Sequence, residues 1–404
     1  MIATLTIDRS DTGSRIGLFP AVVGFFFSFR LFSVLLAVRL FGADPLAGVA
    51  ASLAINFLLA GAATFNSLGP GLRTFASFST VSSFRWVLVF LGFTGLSLAW
   101  SSTASMPAAV LYWCAMACDT AIVLMLLRLG PIEETSSALM RGYVWGTCAI
   151  AAIAWMLPAQ SDLRLGDEGF LGPNQIGYAC AFGFFLAQYL IRRNEKGWTI
   201  PAAFLAITLL RSLSKTTIVA FVAGQALLLV LDRSIGRKKK IVFVCAAVIA
   251  VAVFWGLLAA YYDVYRNAGN QSETLTGRIG IWAYILDEAL QQPWIGHGFH
   301  SVWKVIPPFG VFEARHAHNE ILQQFYAYGI AGICIWVMLY AAIYREIRRL
   351  EQGSLKVFLL GLFLFILVRG LADTEVFDLS LPLWSIVLLG SIIHTEMKPI
   401  EGTA

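Results

Sequence analysis

Four of the five histidines in this sequence lie within one short stretch, and their clustering suggests chemistry. They are His297, His300, His316 and His318. Imidazole nitrogens are good ligands for zinc and copper, so one interpretation is a metal site built from the two pairs. Their spacing matches no established ligand signature, however. The other interpretations are a single histidine that acts as a general base or binds phosphate, and histidines that only make structural hydrogen bonds.

Basic side chains at the ends of apolar runs form a second group of candidates. An arginine can hold a diphosphate through two hydrogen bonds and keeps its charge at any relevant pH. Charges beside membrane-length apolar runs are expensive, so each is a candidate for function, with ordinary ion pairing as the alternative. The cations are Arg164, Arg211, Lys215, Arg266, Arg278, Lys304, Arg315 and Arg369. The nearby acids are Asp167, Glu168, Asp287, Glu288, Glu313, Glu320, Asp373, Glu375 and Asp378.

The composition predicts that these residues are positioned by membrane helices. The chain has 404 residues, of which 58% are hydrophobic and 13% charged, and its mean hydropathy is +0.74. An ordinary soluble domain has about 25% charged residues. The low charge argues against a soluble globular enzyme, and the apolar content excludes a disordered chain, collagen and a coiled coil. We therefore predict an all-α polytopic membrane protein without a nucleic-acid partner.

Apolar runs predict about twelve transmembrane helices. The predicted spans are 16–40, 45–65, 84–100, 106–128, 139–158, 173–191, 198–212, 215–232, 241–262, 318–343, 355–372 and 378–395. With the N-terminus in the cytoplasm, most of the 29 lysines and arginines fall on the cytoplasmic side, as the positive-inside rule requires. The basic runs 192–196 and 233–240 carry most of this bias. No removable signal peptide is expected.

One long polar segment separates the ninth and tenth predicted spans. The predicted organisation is therefore helices one to nine in 1–262, a large loop outside the cytoplasm in 263–317, and the last three helices with a cytoplasmic tail in 318–404. Within the loop, 276–292 is predicted to be an amphipathic helix that Pro293 ends. Its expected apolar face consists of Ile279, Trp282, Ala283, Leu286 and Leu290.

Four short motifs together resemble the O-antigen ligase and polysaccharide polymerase superfamily. His318-Asn319 is followed by nine residues and then by G-x-x-G from Gly329 to Gly332. The pattern T-G-R…W…P-x-x-G-x-G extends over 276–298 in the loop. The other two motifs are Ser214-Lys215-Thr216 at the start of a span and Arg164 upstream of Gly172-Pro173-Asn174. Many relatives have Ser-Arg where this chain has Ser-Lys, and Ser-Lys-Thr is closer to the exopolysaccharide polymerase branch.

The resemblance implies a fold, a location and an activity. The fold would be GT-C-like, with about twelve transmembrane helices and one long periplasmic loop containing short helices, in the bacterial inner membrane with both termini cytoplasmic. The activity would be that of a metal-independent glycosyltransferase without a cofactor, which takes a glycan from a polyprenyl diphosphate carrier. Its partners would be an undecaprenyl-diphosphate-linked oligosaccharide, an acceptor glycan and membrane lipids, with a chain-length regulator and export proteins as further candidates.

The resemblance also implies roles for single residues. Arg278 and His318 would be catalytic, facing one solvated hollow open to the outside of the membrane. Arg278 would stabilise the departing diphosphate, while His318 would be either the base for the acceptor hydroxyl or a phosphate ligand. Gly329 and Gly332 would let helices approach closely below the site. The residues expected to bind the diphosphate or the glycan are Arg164, Lys215, Arg211, Asn319, Asn174 and Arg315.

Four functions remain open at this stage. The first is polymerisation of repeats into exopolysaccharide, and the second is ligation of a glycan to a lipid core. A small-anion or solute transporter is a third function of a different class, with Asp119 in the fourth span as a relay carboxylate or an ordinary paired residue. The long aromatic loop favours the transferases, because carriers keep their determinants on broken helices at mid-membrane. A non-catalytic scaffold of an export complex is the fourth function. Its only support is that the sequence lacks a catalytic carboxylate pair of a familiar type.

Overall fold

The structure is a computed structural model. The residues that it describes are 9–42, 45–68, 81–158, 164–166, 171–233, 235–253, 255, 259, 262–263, 275–303, 316–374 and 379–397. The helices are α1 (Arg9–Phe41), α2 (Pro45–Asn66), α3 (Ser82–Leu96), α4 (Met106–Leu129), α5 (Ile132–Met156), α6 (Pro173–Arg192), α7 (Thr199–Ser212), α8 (Lys215–Leu231), α9 (Arg237–Val253), α10 (Leu275–Gln291), α11 (Glu320–Arg349), α12 (Ser354–Gly370) and α13 (Leu383–Met397). A 3₁₀ turn, Ser97–Trp100, extends α3.

The all-helical architecture with several apolar helices confirms the prediction of a polytopic membrane protein. In the described residues, four segments are long and apolar enough to cross a membrane: Ala47–Asn66, Ser82–Trp100, Met106–Leu129 and Glu320–Arg349. Shorter apolar helices accompany them, Gly17–Arg30, Thr199–Ser212, Lys215–Leu231 and Leu383–Met397. The total of twelve spans stays a prediction, as does the division of the chain at 263 and 318.

Close packing of α8 against α12 brings the start of one helix to the end of the other. Gly224 of α8 and Gly361 of α12 face each other, and a Cβ on Gly224 would lie 2.8 Å from the Gly361 carbonyl oxygen. Small residues at such contacts let helix backbones approach closely. As a result, the first turn of α8 lies near the segment that follows α12.

Helix α11 is bent sharply at Gly329, where φ is 62° and ψ is −158°. The Glu320 carboxylate accepts hydrogen bonds from Trp336 Nε1 at 2.9 Å and Tyr340 Oη at 2.7 Å. In a straight helix these partners would be about 24 and 30 Å farther along the axis. The limb 320–328 therefore folds back against the limb 330–349, so the predicted span 318–343 is not one continuous helix.

The segment after α10 holds this bend in place. The backbone N–H groups of Ile330 and Ala331 donate to the carbonyls of Pro293 and Trp294, at 2.8 and 3.1 Å. A Cβ on Gly329 would lie 2.5 Å from the Trp294 carbonyl carbon, so only glycine fits. The close contact at Gly329 is therefore between the loop that follows α10 and helix α11. The sequence had predicted a close contact between two helices at this glycine.

The predicted amphipathic helix is present as α10, and most of its predicted apolar face lies on the outside of the protein, whereas a second apolar stripe meets α11. The side chains that pack against α11 belong to a cluster that includes Ile281, Ile285 and Ala289. Ile279 and Leu290 are 55% and 59% exposed. The sequence contains two apolar stripes on this helix, and periodicity alone does not show which of them meets protein.

Asp119 of α4 is an ion-paired residue and not an isolated carboxylate. Its Oδ2 lies 2.6 Å from Nη1 of Arg30 on α1. Asn56 of α2 donates to the Ala115 carbonyl one turn away. A charge inside a helix bundle is retained at low cost when it has such a partner. The pairing removes the main support for Asp119 as a relay carboxylate in a transporter.

Candidate functional site

The site starts from a hydrogen-bonded junction between two of the predicted motifs. Asn174 lies at the start of α6, and its Oδ1 accepts from Arg164 Nη2 at 2.9 Å and from Ser214 Oγ at 3.0 Å. The hydroxyl oxygens of Ser214 and Thr217 lie 2.9 Å apart, within hydrogen-bond distance. Arg164 is 3% exposed. Asn174 therefore positions Arg164 and the start of α8 relative to each other.

A third motif joins the same region through Arg278. Its Nη1 donates to Thr216 Oγ1 at 3.3 Å, in the first turn of α8, and to the Ala372 carbonyl oxygen. The guanidinium is buried, and within the part of the chain that the structure describes its Nε has no hydrogen-bond partner. Because a buried donor without a partner is unfavourable, Nε is suited to an oxygen of a bound ligand.

The fourth motif contributes His318, which meets Asp373 directly after α12. His318 Nδ1 and Asp373 Oδ1 are 3.3 Å apart, and Oδ2 of the same carboxylate lies 3.4 Å from Arg369 Nη2. The Arg369 guanidinium also lies over the Tyr178 ring, 4.1 Å from its centroid. Since Ala372 precedes Asp373, Arg278 and His318 contact adjacent residues of one segment.

The surroundings of this segment keep Asp373 ionised. Burial alone would raise the pKa of Asp373, but the Arg369 guanidinium and the hydrogen bond from His318 hold that pKa well below its usual range. An ionised Asp373 cannot donate, so the proton between the two side chains belongs on His318 Nδ1. The lone pair of the neutral imidazole then resides on Nε2, the arrangement that a general base requires.

His316 stays neutral beside His318. Burial lowers the pKa of His316 well below the usual range. A proton on His318 and the charges of Arg369 and Arg278 lower it further, against the opposing effect of Asp373. Its Nδ1 accepts from the backbone N–H of His318 at 3.3 Å, a bond that protonation at this nitrogen would break. His316 therefore supports the conformation of His318.

The loop before α11 holds His318 in a conformation that is rare for this residue type. His318 has φ 51°, in the left-handed region. Asn319 caps α11 by accepting from Leu322 N–H at 3.0 Å, and its Nδ2 donates to the Leu371 carbonyl at 2.9 Å. Asn319 thus ties the His318 loop to the segment carrying Asp373.

The remaining predicted site residues differ in what the structure shows. Lys215 is the first residue of α8, and Arg211 lies in the last turn of α7; both are half-buried. Arg315 lies outside the described residues, as do Arg266 and Lys304. Arg278 and His318 are 6% and 8% exposed, more buried than the solvated hollow expected for them.

The first pair of histidines lies apart from this site. His297 Nε2 is 3.1 Å from the Glu288 carbonyl oxygen, and its ring stacks on Tyr326. His300 Nδ1 is 3.1 Å from Thr103 Oγ1. These are structural contacts, and among the described residues neither His297 nor His300 belongs to a group with metal-ligand spacing, so the interpretation of a metal site from both pairs gains no support.

A different trio has the spacing of a metal site. Ligand atoms of His316, His318 and Asp373 all lie within 4.8 Å of one another. The same trio is next to two guanidinium groups, since Arg369 contacts Asp373 and both Arg369 and Arg278 act on His316. Two nearby cations oppose a third one, so this electrostatic environment favours an anion over a metal ion.

Asp373 and Thr216 are the site residues that the sequence analysis did not single out. Asp373 appeared only among the nearby acids, and Thr216 only as part of a motif. A usable signal for Asp373 is the arginine four residues before it, at the end of an apolar run. An acid and a base at that spacing lie on the same side of a helix end.

Comparisons with known proteins agree with the motifs that meet here. Residues 200–337 match the family model described as O-antigen ligase. The chain is 24% identical over 331 residues to the exopolysaccharide production protein ExoQ of Rhizobium meliloti (strain 1021), covering 73% of each chain. It is 27% identical over 275 residues to an O-antigen ligase of Pseudomonas aeruginosa, covering 63% of this chain and 62% of that protein. These findings confirm the predicted resemblance to the O-antigen ligase and polysaccharide polymerase superfamily.

Proposed function

From this relationship we propose that the chain is a membrane glycosyltransferase that polymerises polyprenyl-diphosphate-linked oligosaccharide repeats into exopolysaccharide. The observation that carries the proposal is the convergence of Arg278 and the His318–Asp373 pair on one segment, residues 372–373. Arg278 suits a phosphate group, and the histidine pair suits a hydroxyl that must lose a proton. The two functional groups of the reaction thus have partners within one site.

The proposed setting is the periplasmic face of the bacterial inner membrane, with twelve spans and both termini in the cytoplasm. Arginine pairs support this orientation. Arg141, Arg192 and Arg193 lie at the end of the bundle opposite to the site, where they pair with Glu195, Asp232 and Glu133. Positively charged residues near span ends are retained in the cytoplasm, so the site faces the other side.

Arg278 binds the diphosphate of the lipid carrier in this proposal. Its Nε has no hydrogen-bond partner among the described residues and is available to a phosphate oxygen. Its Nη1 is within hydrogen-bond distance of Thr216, in the first turn of α8. Free N–H groups at a helix N-terminus attract anions. Lys215 and Arg164 add positive charge near this point, with Asn174 holding Arg164 in place. The developing charge of the leaving group is stabilised there.

His318 is the base in the transfer step. Nε2 takes the proton of the acceptor hydroxyl, and the acceptor oxygen forms a bond to the anomeric carbon of the donor sugar. The bond between this carbon and the phosphate oxygen breaks, and its electron pair leaves with the lipid diphosphate. Asp373 stabilises the imidazolium that forms, since it accepts from Nδ1. The proton then passes to water before the next turnover.

Reconstitution tests the activity. The purified chain in liposomes, supplied with a polyprenyl-diphosphate-linked oligosaccharide, is expected to give a ladder of longer glycans on a gel. The His318→Gln variant is the matched control, because glutamine retains hydrogen bonding without acting as a base near neutral pH. A ladder of normal intensity from this variant would contradict the role of His318. Excess chelator is expected to leave the ladder unchanged, since the proposed step needs no metal.

Ligation to a lipid core is the second candidate, and one relative favours it. That relative is the O-antigen ligase, with 27% identity. The Ser214-Lys215-Thr216 motif and the similarity to ExoQ favour polymerisation. Offering a lipid-core acceptor together with the lipid-linked donor separates the two: polymerisation gives a ladder without the core, whereas ligation gives one discrete product on the core.

A further inference from the structure

Helix α10 has three distinct faces along its length. One face packs against α11 through Ile281, Ile285 and Ala289, and Arg278 points in the same general direction. At about 100° per residue these four positions lie within about 80° of one another. They form the side by which the helix is attached to the rest of the protein.

A second face is apolar and exposed. It consists of Ile279, Ala283, Leu286 and Leu290, spaced by four, three and four residues, which we call the exposed stripe. At about 100° per residue its members lie within about 60° of one another. Leu286 is 43% and Leu290 is 59% exposed. A regular apolar stripe of this kind on a helix surface indicates contact with something apolar.

The third face is polar. Asp287 and Gln291 are exposed, and Glu288 at the edge of this face is half-buried. A helix that is packed only against protein and water has one apolar face and one polar face. A helix that lies in a membrane surface has a face against protein, an apolar face against hydrocarbon and a polar face against water.

The segment after α10 continues the exposed stripe towards the membrane-spanning helices. Trp294 is 72% exposed, and its carbonyl accepts from Ala331, in the first turn of the long limb of α11. Trp100, at the end of the candidate span Ser82–Trp100, donates through Nε1 to the Ile295 carbonyl. Trp294 therefore lies beside the ends of two apolar helices.

Those helix ends are themselves apolar and exposed. Ile330 of α11 is 43% exposed, and Leu96 of α3 is 63% exposed. In a membrane protein such side chains face lipid, and tryptophan is enriched at the level where hydrocarbon meets headgroups. The exposed stripe and Trp294 thus continue the surface that these two helices present to lipid.

We propose that α10 is an interfacial helix whose exposed stripe, with Trp294, is embedded in the lipid leaflet on the site side of the membrane. The occupant of this surface is lipid and not a second protein. The embedded helix also sets the height of Arg278 relative to the headgroup layer in which a lipid diphosphate resides. This second statement rests on the proposed function.

Spin-label accessibility tests the proposal on the full chain. Single cysteines are placed at Leu286 and Leu290 of the exposed stripe and at Asp287 and Gln291 of the polar face. The background has all six native cysteines replaced, and the protein is reconstituted in nanodiscs of phosphatidylethanolamine and phosphatidylglycerol. Oxygen partitions into lipid, whereas a nickel chelate stays in water. The ratio of oxygen to nickel collisions is expected to be severalfold higher at 286 and 290 than at 287 and 291.

Two results would overturn the proposal. Equal ratios at all four positions would place the exposed stripe in water, and exclusion of both reagents from 286 and 290 would place it against protein. If the cysteine-free chain does not fold, a photo-crosslinking amino acid at 290, with 291 as control, gives the same answer in the native background: lipid adducts are expected at 290 only.

The measurement does not depend on catalysis. The label positions are therefore repeated in an Arg278→Ala background, where the transfer reaction is expected to be lost and the collision ratios unchanged. If the parent protein is active but its collision ratios at 286 and 290 are no higher than at 287 and 291, the interfacial helix is rejected and the proposed function is not. Normal ratios with full activity in the Arg278→Ala background would reject the proposed role of Arg278 alone.

Discussion

The two ends of the helix bundle both carry arginines, but their charges are arranged differently. At the end opposite to the site, three arginines each pair with a different carboxylate: Arg141 with Glu195 at 2.8 Å, Arg192 with Asp232 at 2.9 Å and Arg193 with Glu133 at 2.6 Å. At the site, Asp373 is shared between Arg369 and His318. Arg278 donates to two neutral oxygens, those of Thr216 and Ala372.

This difference in pairing suggests that the arginines at the opposite end stabilise the fold, whereas Arg278 at the site is suited to binding an anionic ligand. One-to-one pairs neutralise each other and contribute modestly to stability. At the site, Arg278 donates only to neutral oxygens among the described residues, and its Nε has no hydrogen-bond partner there. A buried cation of this kind is stabilised when an anion joins it. The comparison therefore predicts that changes at the site abolish activity, whereas changes at the opposite end affect mainly stability.

The largest expected effect is that of Arg278→Ala. Because the guanidinium stabilises the departing diphosphate, product formation is expected to fall by about 100- to 1,000-fold. The matched control is Arg193→Ala, which removes an arginine from the opposite end and is expected to change product formation by no more than about threefold. Initial rates of glycan formation in liposomes give both values. A similar loss in the two variants would break the comparison.

Asp373→Asn is expected to follow, with a loss of about 100-fold. Asparagine has the same shape, but it neither fixes the Nδ1 proton of His318 nor stabilises an imidazolium. Asp232→Asn is the control, since Asp232 is also a buried carboxylate on an arginine; it is expected to lower thermal stability and leave the rate largely intact. In the double variant His318→Gln, Asp373→Asn the losses should not multiply, because the two residues act as one unit.

A smaller effect is expected at Lys215. An ammonium binds phosphate as a point charge, so Lys215→Arg should retain most of the activity and Lys215→Ala should lose about tenfold. The apparent KM for the lipid-linked donor is the measurement, because Lys215 lies at the helix start and not beside the reacting hydroxyl. Equal losses in the two variants would show that shape, and not charge, is required at this position.

The smallest expected effect concerns the pH dependence of stability at His316. Its pKa is depressed in the folded protein, so below about pH 6.5 the unfolded chain binds more protons than the folded one. Stability should therefore fall as the pH decreases from about 6.5, and His316→Gln should make this fall shallower. Thermal unfolding between pH 7 and 5 measures it. Asp373 does not interfere, since its depressed pKa costs stability only below about pH 4.

The sequence predicts helices and motifs well where the determinants are local. The predicted spans 106–128 and 173–191 correspond to Met106–Leu129 and Pro173–Arg192, because long apolar runs bounded by polar residues leave little choice. His318 and Arg278 were identified by their neighbours in the chain. Their contact with one segment required the packing of α8 on α12, which no spacing in the sequence expresses.

Two features depend on tertiary structure and do not follow from the sequence. Asp373 is 55 positions from His318, and their contact forms only when the ends of two helices meet. The apolar face predicted for α10 is present, but periodicity identifies an apolar face without naming its neighbour. The exposed stripe and the Ile281–Ala289 face are both apolar, and only the structure shows which one touches α11.

The bend at Gly329 explains why a fixed count of residues separates it from Asn319. The limb 320–328 runs from the cap formed by Asn319 to the bend, about two and a half helical turns. Inserting one residue would rotate His318 by about 100° about the limb axis and shift it by about 1.5 Å, away from Asp373. Substitution at an outward position such as Ile321, which is 41% exposed, leaves this geometry intact. Natural variation in this limb should therefore consist of replacements and contain no insertions or deletions.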